Sequence, residues 1–380
     1  MMRSTRTRRR VKPFFASAAV LVLVTILAVS CGSSGTDRSN RSASSAWDGA
    51  NWMRNLAPQL GDRPLSELVI PGTHDAGTFS FSTNNLRIAD RQGDTETAQF
   101  QGIPDAFILG AQVTQTQTWQ EQLDAGIRYL DFRVVCDPDG LFIVHTFRGQ
   151  PVAEALSEIA AWMRAHPHEV LFLDVQKNYG CNELQTTAEG GSQLGNDVLT
   201  SMVKEAFGTS LAPRPQSADV RTTLNSLVAA GVNVIPFLVD TEYVAKSDFW
   251  WMRAWNVLPE GAGMTNVWEP IVTMPEMFEA MREVGPQYSI KQQSQLLLGS
   301  ITTSPMFPRD TGIANWYRSW RSGTQRGSLR EFVVSEVLPT MPQMVSSLAA
   351  AGYNVLSTDF YELGEWPNGE SFAQLVVSQN

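Results

Sequence analysis

Cysteine and histidine are scarce in this sequence, three and four among 380 residues. They show no paired metal-ligand spacing, which argues against a zinc-built fold or zinc catalysis. No Gly-x-Gly-x-x-Gly turn follows an early strand candidate, so the usual dinucleotide-binding signature is missing. Acids are absent from the first 30 residues, where six of the 29 basic residues lie (Arg3, Arg6, Arg8, Arg9, Arg10 and Lys12). The remainder is therefore more acidic than the overall charge of −9 indicates. Without clustered Lys and Arg it is a poor partner for nucleic acid and offers no polybasic anchor for an anionic membrane. Core material is plentiful. The chain is 43% hydrophobic and 18% charged, which excludes a mostly disordered protein.

The basic start is followed by an apolar run over residues 14–29, long for a signal peptide and short for a spanning helix. Leu27-Ala-Val-Ser-Cys31 resembles a bacterial lipobox. Residues 1–31 are thus expected to be a signal peptide with a lipobox, and 32–45, rich in Gly, Ser, Asn and Arg, a flexible linker. The product would be exported and lipid-anchored to the outer face of the cell membrane, or else secreted; an uncleaved anchor is the alternative. Cys136 and Cys181 make an even pair suited to an oxidising compartment, although spacing leaves their pairing open.

No second linker interrupts residues 46–380, which implies one domain. Within it an amphipathic stretch, a glycine and a β-rich run recur. The pattern appears at Leu123–Gly126 into Ile127–Val135, Val228–Gly231 into Val232–Asp240, and Ala349–Gly352 into Tyr353–Asp359. A helix is predicted over about Val152–Ala165, apolar at Val152, Leu156, Ile159, Ala160 and Met163 and stopped by His166-Pro167. Further strands are expected at Leu68–Pro71, Leu141–His145, Val170–Val175 and Gln295–Ile301. Strands alternating with helices over this length predict an α/β fold, a distorted TIM-like (β/α)8 barrel, ahead of an open doubly wound sheet.

Polar residues gather where such strands end. Asp131 and Arg133 share a face by the period-two rule, as do Asp174 and Gln176, and His145, Asp240 and Asp359 end their own strands. Any one of these has an ordinary reading as a cap or a satisfied core residue. Five strands ending so would converge on one rim, where barrel sites lie. His166 and His168 fall between a helix and a strand, on the opposite rim, leaving His74 and His145. Two imidazoles, a guanidinium and carboxylates together suit phosphoryl transfer by general acid–base catalysis.

At these residues the sequence resembles the phosphatidylinositol-specific phospholipase C X-domain family. Leu65-Ser-Glu-Leu-Val-Ile-Pro-Gly-Thr-His-Asp-Ala-Gly77 is similar to its first catalytic segment, and Gln122-Leu-Asp-Ala-Gly-Ile-Arg-Tyr-Leu-Asp-Phe-Arg133 to its second. Phe142-Ile-Val-His145, the strand ending at Asp174, and Gly352-Tyr-Asn-Val-Leu-Ser-Thr-Asp359 resemble the rest, while residues 180–340 match loosely. The resemblance implies His74 as general base oriented by Asp359, His145 as general acid beside Asp75, and Arg133 on the phosphate. The products would be a cyclic inositol phosphate and diacylglycerol. Calcium-dependent members carry metal ligands at the positions of Asp75, Arg133 and Gln176. An arginine at the second supplies positive charge itself, so neither metal nor cofactor is expected, as in the metal-independent bacterial branch.

Three departures stand out. The second histidine is usually followed by Gly but here by Thr146, and Lys177 is offset by one residue from an inositol-contacting Lys. Asp240 stands near where classical bacterial enzymes place an Arg. Lys177, Asp131 and Asp240 are the expected substrate contacts. The expected partners are a phospholipid or inositol phosphodiester and a membrane surface, met by a monomer. Phe249-Trp-Trp-Met252 with Trp255, and Trp316-Tyr317 with Trp320, are either a lipid-facing rim or buried packing. The rival functions are a phosphodiesterase for another headgroup and a non-catalytic exported cyclitol- or glycan-binding barrel.

Overall fold

Parallel strands covered on both faces must be apolar along their whole length, and this chain supplies them repeatedly. The computed structural model describes residues 47–85, 100, 102–182, 184–186, 192–214, 222–255, 263–266, 274–291, 296–301, 312–323, 327–364, 366 and 369–380. The leader, Cys31 and the linker lie outside them. Helix α1 (Trp52–Leu60) is followed by β1 (Ile70–Thr73), α2 (Asp105–Gln112) and α3 (Trp119–Asp124). Next come β2 (Tyr129–Asp137), β3 (Gly140–His145), β4 (Phe147–Pro151), α4 (Val152–Ala165) and β5 (Leu171–Tyr179). A small antiparallel pair, β6 (Leu184–Thr186) and β7 (Ser192–Leu194), precedes α5 (Gly195–Phe207) and α6 (Leu224–Ala229). Then follow β8 (Val234–Leu238), α7 (Thr241–Ala245), β9 (Trp251–Trp255), β10 (Gly263–Asn266), α8 (Met274–Lys291) and β11 (Leu296–Ile301). The described chain closes with α9 (Gly312–Arg321), α10 (Leu329–Phe332), α11 (Met341–Ala350), β12 (Val355–Thr358) and α12 (Phe372–Val377).

Eight strands form the ring β1–β2–β5–β8–β9–β10–β11–β12, every pairing parallel, and it closes because β1 pairs with both β12 and β2. The fold is the expected TIM-like barrel. It is distorted in two places. Only residues 256–262 separate β9 from β10, fewer than the dozen or so that usually connect parallel neighbours. Strand β2 overshoots the ring and turns back through the antiparallel pair β2–β3. The recurring glycines do what the sequence asks of them: Gly126, Gly231 and Gly352 follow α3, α6 and α11 with φ of 109°, 71° and 90°. The five apolar positions of α4 are all buried.

Two apolar layers result. Between sheet and helices lie Trp119, Phe132, Ile159, Leu173 and Leu348, among others. Inside the ring, Ile70, Tyr129, Phe172, Phe237, Trp251, Leu298 and Val355 pack together with Trp52 and Met53 of α1. The lower barrel is thus filled largely with apolar side chains, and Asp131, Arg133, His74 and Asp359 lie toward the end where the parallel strands finish.

Candidate active site

Register places the first pair. Thr73 of β1 lies beside Thr358 of β12, so the next residue on each strand, His74 and Asp359, arrives at the same height. His74 Nδ1 is 2.8 Å from Asp359 Oδ1. In the neutral imidazole Nδ1–H donates to that carboxylate, and Nε2 carries the lone pair. Nε2 accepts from the Arg133 guanidinium at 2.9 Å and lies 3.5 Å from Asp75 Oδ2.

The second pair depends on the hairpin. Leu141–His145 was expected as one more barrel strand, but β3 is antiparallel to β2. It returns from above the rim and delivers His145 to it. His145 Nδ1 is 2.9 Å from the Gln112 carbonyl and 3.2 Å from Asp75 Oδ2, so Nδ1–H is engaged and Nε2 is the atom available to a substrate.

Arg133 lies between the pairs. Its Nε makes an ion pair with Asp75 Oδ1, and Nη2 donates to Asp131 Oδ2 at 3.2 Å and to Gln176 Oε1 at 2.9 Å. A bulge in β5 explains the offset Lys177. Phe132 pairs with Val175 but Arg133 pairs with Lys177, which leaves Gln176 as the extra residue and brings Lys177 alongside Arg133.

Burial sorts the cluster by charge. Asp75, Asp131 and Asp359 are 1–3% exposed at the side chain, whereas Arg133, His74 and His145 are 13%, 18% and 22% exposed. The floor thus presents cationic and imidazole groups outward and keeps the carboxylates beneath, the arrangement an anionic phosphodiester needs.

The same burial sets the titration. Burial alone would lower His74, but Asp75 and Asp359 outweigh it and raise the imidazole to about 9. His145 falls below its ordinary value, because burial and the charges of Arg133 and His74 exceed the help from Asp75. Burial pushes Asp75 up, yet Arg133, His145 and His74 around it hold it below the usual carboxylate range. Burial raises Asp359 despite His74. Protonated His74 cannot accept from Arg133, so that contact belongs to the neutral, basic form.

Ligand atoms of His74, Asp75 and Asp131 lie within 4.8 Å of one another, close enough in principle to share a cation. The Arg133 guanidinium already engages all three side chains. A metal ion there would have to displace a charged group of its own sign, so this donor set fits the arginine and not a metal.

Other expected residues fall less centrally. Asp131 is buried under Arg133 and accepts from the Asp75 backbone N–H at 3.1 Å, which places it as a support. Asp240 caps α7 through Tyr243 N at 2.9 Å and accepts from Asn196 at 3.2 Å. Asp174 is fully buried below the site, ion-paired with Arg253 at 2.9 Å and accepting from the Tyr129 hydroxyl at 2.7 Å. Phe249, Trp250 and Trp251 are core residues, as is Trp316. Trp320 is 44% exposed and stacks near Tyr317 and Phe107. Cys136 and Cys181 form a disulfide joining the ends of β2 and β5.

The sequence reading missed the buried polar residues that hold these loops. Gln122 accepts from Thr73 Oγ1 at 2.7 Å and donates to the Ala76 carbonyl at 2.8 Å. Thr114 and Gln115 hold the backbone of His74 and its neighbours. The available signal was Val113-Thr-Gln-Thr-Gln-Thr118, polar residues alternating between two helices with none of the Gly or Pro of an ordinary loop.

Similarity to known proteins bears on the family and the fold. A family model described as PI-PLC X 1 matches residues 96–245, which include Arg133 and His145. PI-PLC X domain-containing protein 2 of Mus musculus is 31% identical over 337 residues, covering 87% of each chain. The chain belongs to the PI-PLC X domain family. PI-PLC X domain-containing protein 1 of Mus musculus is 34% identical over 224 residues, 54% of this chain and 60% of that protein. Among solved structures, a phosphatidylinositol-specific phospholipase C from Staphylococcus aureus shares the fold with a TM-score of 0.58 at 14% identity, covering 88% of this chain and 97% of that one. The PI-PLC X fold and family support a phospholipase C-type phosphodiesterase.

Proposed function

We propose that this PI-PLC X protein is an exported phosphodiesterase that cleaves the glycerol–phosphate bond of phosphatidylinositol or a related glycosylated phospholipid. The observation that carries the reading is the pair of imidazole–carboxylate couples, His74–Asp359 and His145–Asp75, on either side of a partly exposed Arg133. His74 Nε2 takes the proton of the inositol 2-hydroxyl as that oxygen attacks phosphorus. The bond to the glycerol oxygen breaks, and His145 Nε2–H protonates the leaving diacylglycerol. Arg133 neutralises the phosphoryl oxygens throughout. The cyclic phosphate forms within the substrate, so no bond to the enzyme is needed. Export is supported by the basic and apolar leader ending at Cys31, and by the Cys136–Cys181 disulfide, a bond that persists in oxidising compartments.

The test is turnover of phosphatidylinositol micelles by a protein beginning near Ser45, with and without EDTA, beside His74→Ala and His145→Ala. Diacylglycerol and cyclic inositol phosphate are expected, chelator-resistant, and reduced at least about 100-fold in either variant. The profile of kcat/KM against pH should be bell-shaped, with its alkaline limb near 9 from His74 and its acid limb below 6.5 from His145. In the free protein the required base is the more basic imidazole, so the active protonation state is the minority one. A bound phosphodiester adds negative charge beside His145 and favours its protonation. EDTA-sensitive turnover would overturn the role given to Arg133. Wild-type turnover confined to another phosphodiester would keep the chemistry and replace the headgroup. No turnover across a phosphodiester panel would favour a binding protein.

A further inference from the structure

Among the described residues, three that are not glycine have positive φ: Asp75 at 44°, Thr146 at 65° and Phe360 at 46°. Each directly follows a residue of the proposed machinery, namely His74, His145 and Asp359. Left-handed backbone is costly for a residue with a Cβ and persists only where surrounding contacts impose it. All three turns are held by one segment, residues 112–115, which leaves the end of α2 and crosses the rim.

The contacts are specific. The Gln112 carbonyl accepts from His145 Nδ1 at 2.9 Å, and its side-chain oxygen accepts from the Thr146 hydroxyl at 3.2 Å. The Thr114 carbonyl accepts from Phe360 N at 2.7 Å. The Thr114 hydroxyl lies 2.9 Å from the His74 carbonyl and 3.1 Å from that of Asp75, and 2.9 Å from Thr78 Oγ1. Gln115 Nε2 donates to the carbonyls of His74 at 3.0 Å and Thr358 at 2.8 Å, so one amide bridges the two strand ends that carry His74 and Asp359. Thr114 and Gln115 are 1% and 0% exposed, too deep to touch a substrate.

We infer that Thr114 and Gln115 are positioning residues, a clamp that fixes the strained turns after His74 and Asp359 and thereby sets His74 against Asp359, while neighbouring Gln112 holds the turn after His145. The inference rests on the phosphodiesterase reading for its kinetic consequence but not for its structural one. Displacing a reacting group by about 1 Å costs on the order of 100-fold in rate. A loosened clamp should therefore lower kcat and leave KM nearly unchanged, since neither residue reaches the substrate.

The test uses shape-conserving variants. Thr114→Val and Gln115→Met remove the polar groups and keep the volume, and Thr114→Ser restores the hydroxyl. Two readouts are taken: kcat and KM on the substrate identified above, and imidazole titration by NMR, with His166 and His168 on the far rim as internal references. In Thr114→Val and Gln115→Met, kcat should fall between about 10- and 100-fold with KM unchanged. The His74 midpoint should move from about 9 toward 6.5, the reference signals should stay put, and Thr114→Ser should resemble wild type. Folded variants with a wild-type His74 titration and wild-type kcat would overturn the clamp. So would a loss of activity that only follows the folded fraction while His74 titrates normally. If wild type turns over no phosphodiester, the functional reading fails by itself and the titration alone decides the clamp.

Discussion

Thr146 adopts a conformation that its own side chain opposes. A β-branched residue at φ 65° is strained, and here the hydroxyl bond to Gln112 helps to hold it. Thr146→Gly and Thr146→Ala both lose that bond, but only glycine is at ease in the left-handed region. Glycine is therefore expected to be the more stable of the two by about 1 kcal/mol, measured by urea denaturation. The reverse order would show that the turn carries no strain. At this scale the sequence was informative about identity and silent about support. His74, Arg133, His145 and Asp359 stand out because strand-end charge is unusual, and Thr146 stands out as a departure from the family's Gly. Thr114 and Gln115 do not, because the carbonyls they hold belong to residues distant in the chain, and a backbone acceptor leaves no mark in a sequence.

Elements were legible where periodicity is local. The apolar stripe of α4 and the helix–glycine–strand repeats were correctly anticipated because each needs only its neighbours in the chain. The direction of β3 was not, since alternation reads the same in a parallel and an antiparallel strand. The bulge that re-registers Lys177 was visible only as a one-residue misfit. The disulfide acts at the same scale. It joins β2 to β5 just beyond Arg133 and Lys177 and closes a loop with a sequence separation of 45. Loop-closure entropy puts its contribution at about 4 kcal/mol, less any strain it imposes. Replacing Cys136 and Cys181 together by Ala should lower the denaturation free energy by about 2–4 kcal/mol, and adding reductant to wild type should do the same. No change in either would mean that the strand ends are held by their ladder alone.

Taken as a whole, the barrel separates stability from chemistry along its axis. At the end opposite the site, Arg128 is fully buried and donates to Glu169 at 2.7 Å and to the carbonyls of Gly49, Ala50, Leu123 and Ile127. Glu169 also accepts from Met53 N and Arg54 N, fastening α1 to that end. Glu169→Gln would leave the guanidinium buried without its counter-charge. It should cost about 3–5 kcal/mol in stability and leave kcat per folded molecule unchanged, checked by paired urea and activity titrations. A fall in kcat at full folding would show that the two ends communicate. The barrel itself could be expected from the alternation of elements, whereas its bottom closure could not, because Arg128 and Glu169 read locally as ordinary surface charges.

Ring closure has a consequence in time. Strand β1 finds its last neighbour only in β12, and His74 meets Asp359 across a separation of 285 residues. During synthesis the histidine is made long before its acid. The His74–Asp359 pair therefore forms only when the first and last strands zip together.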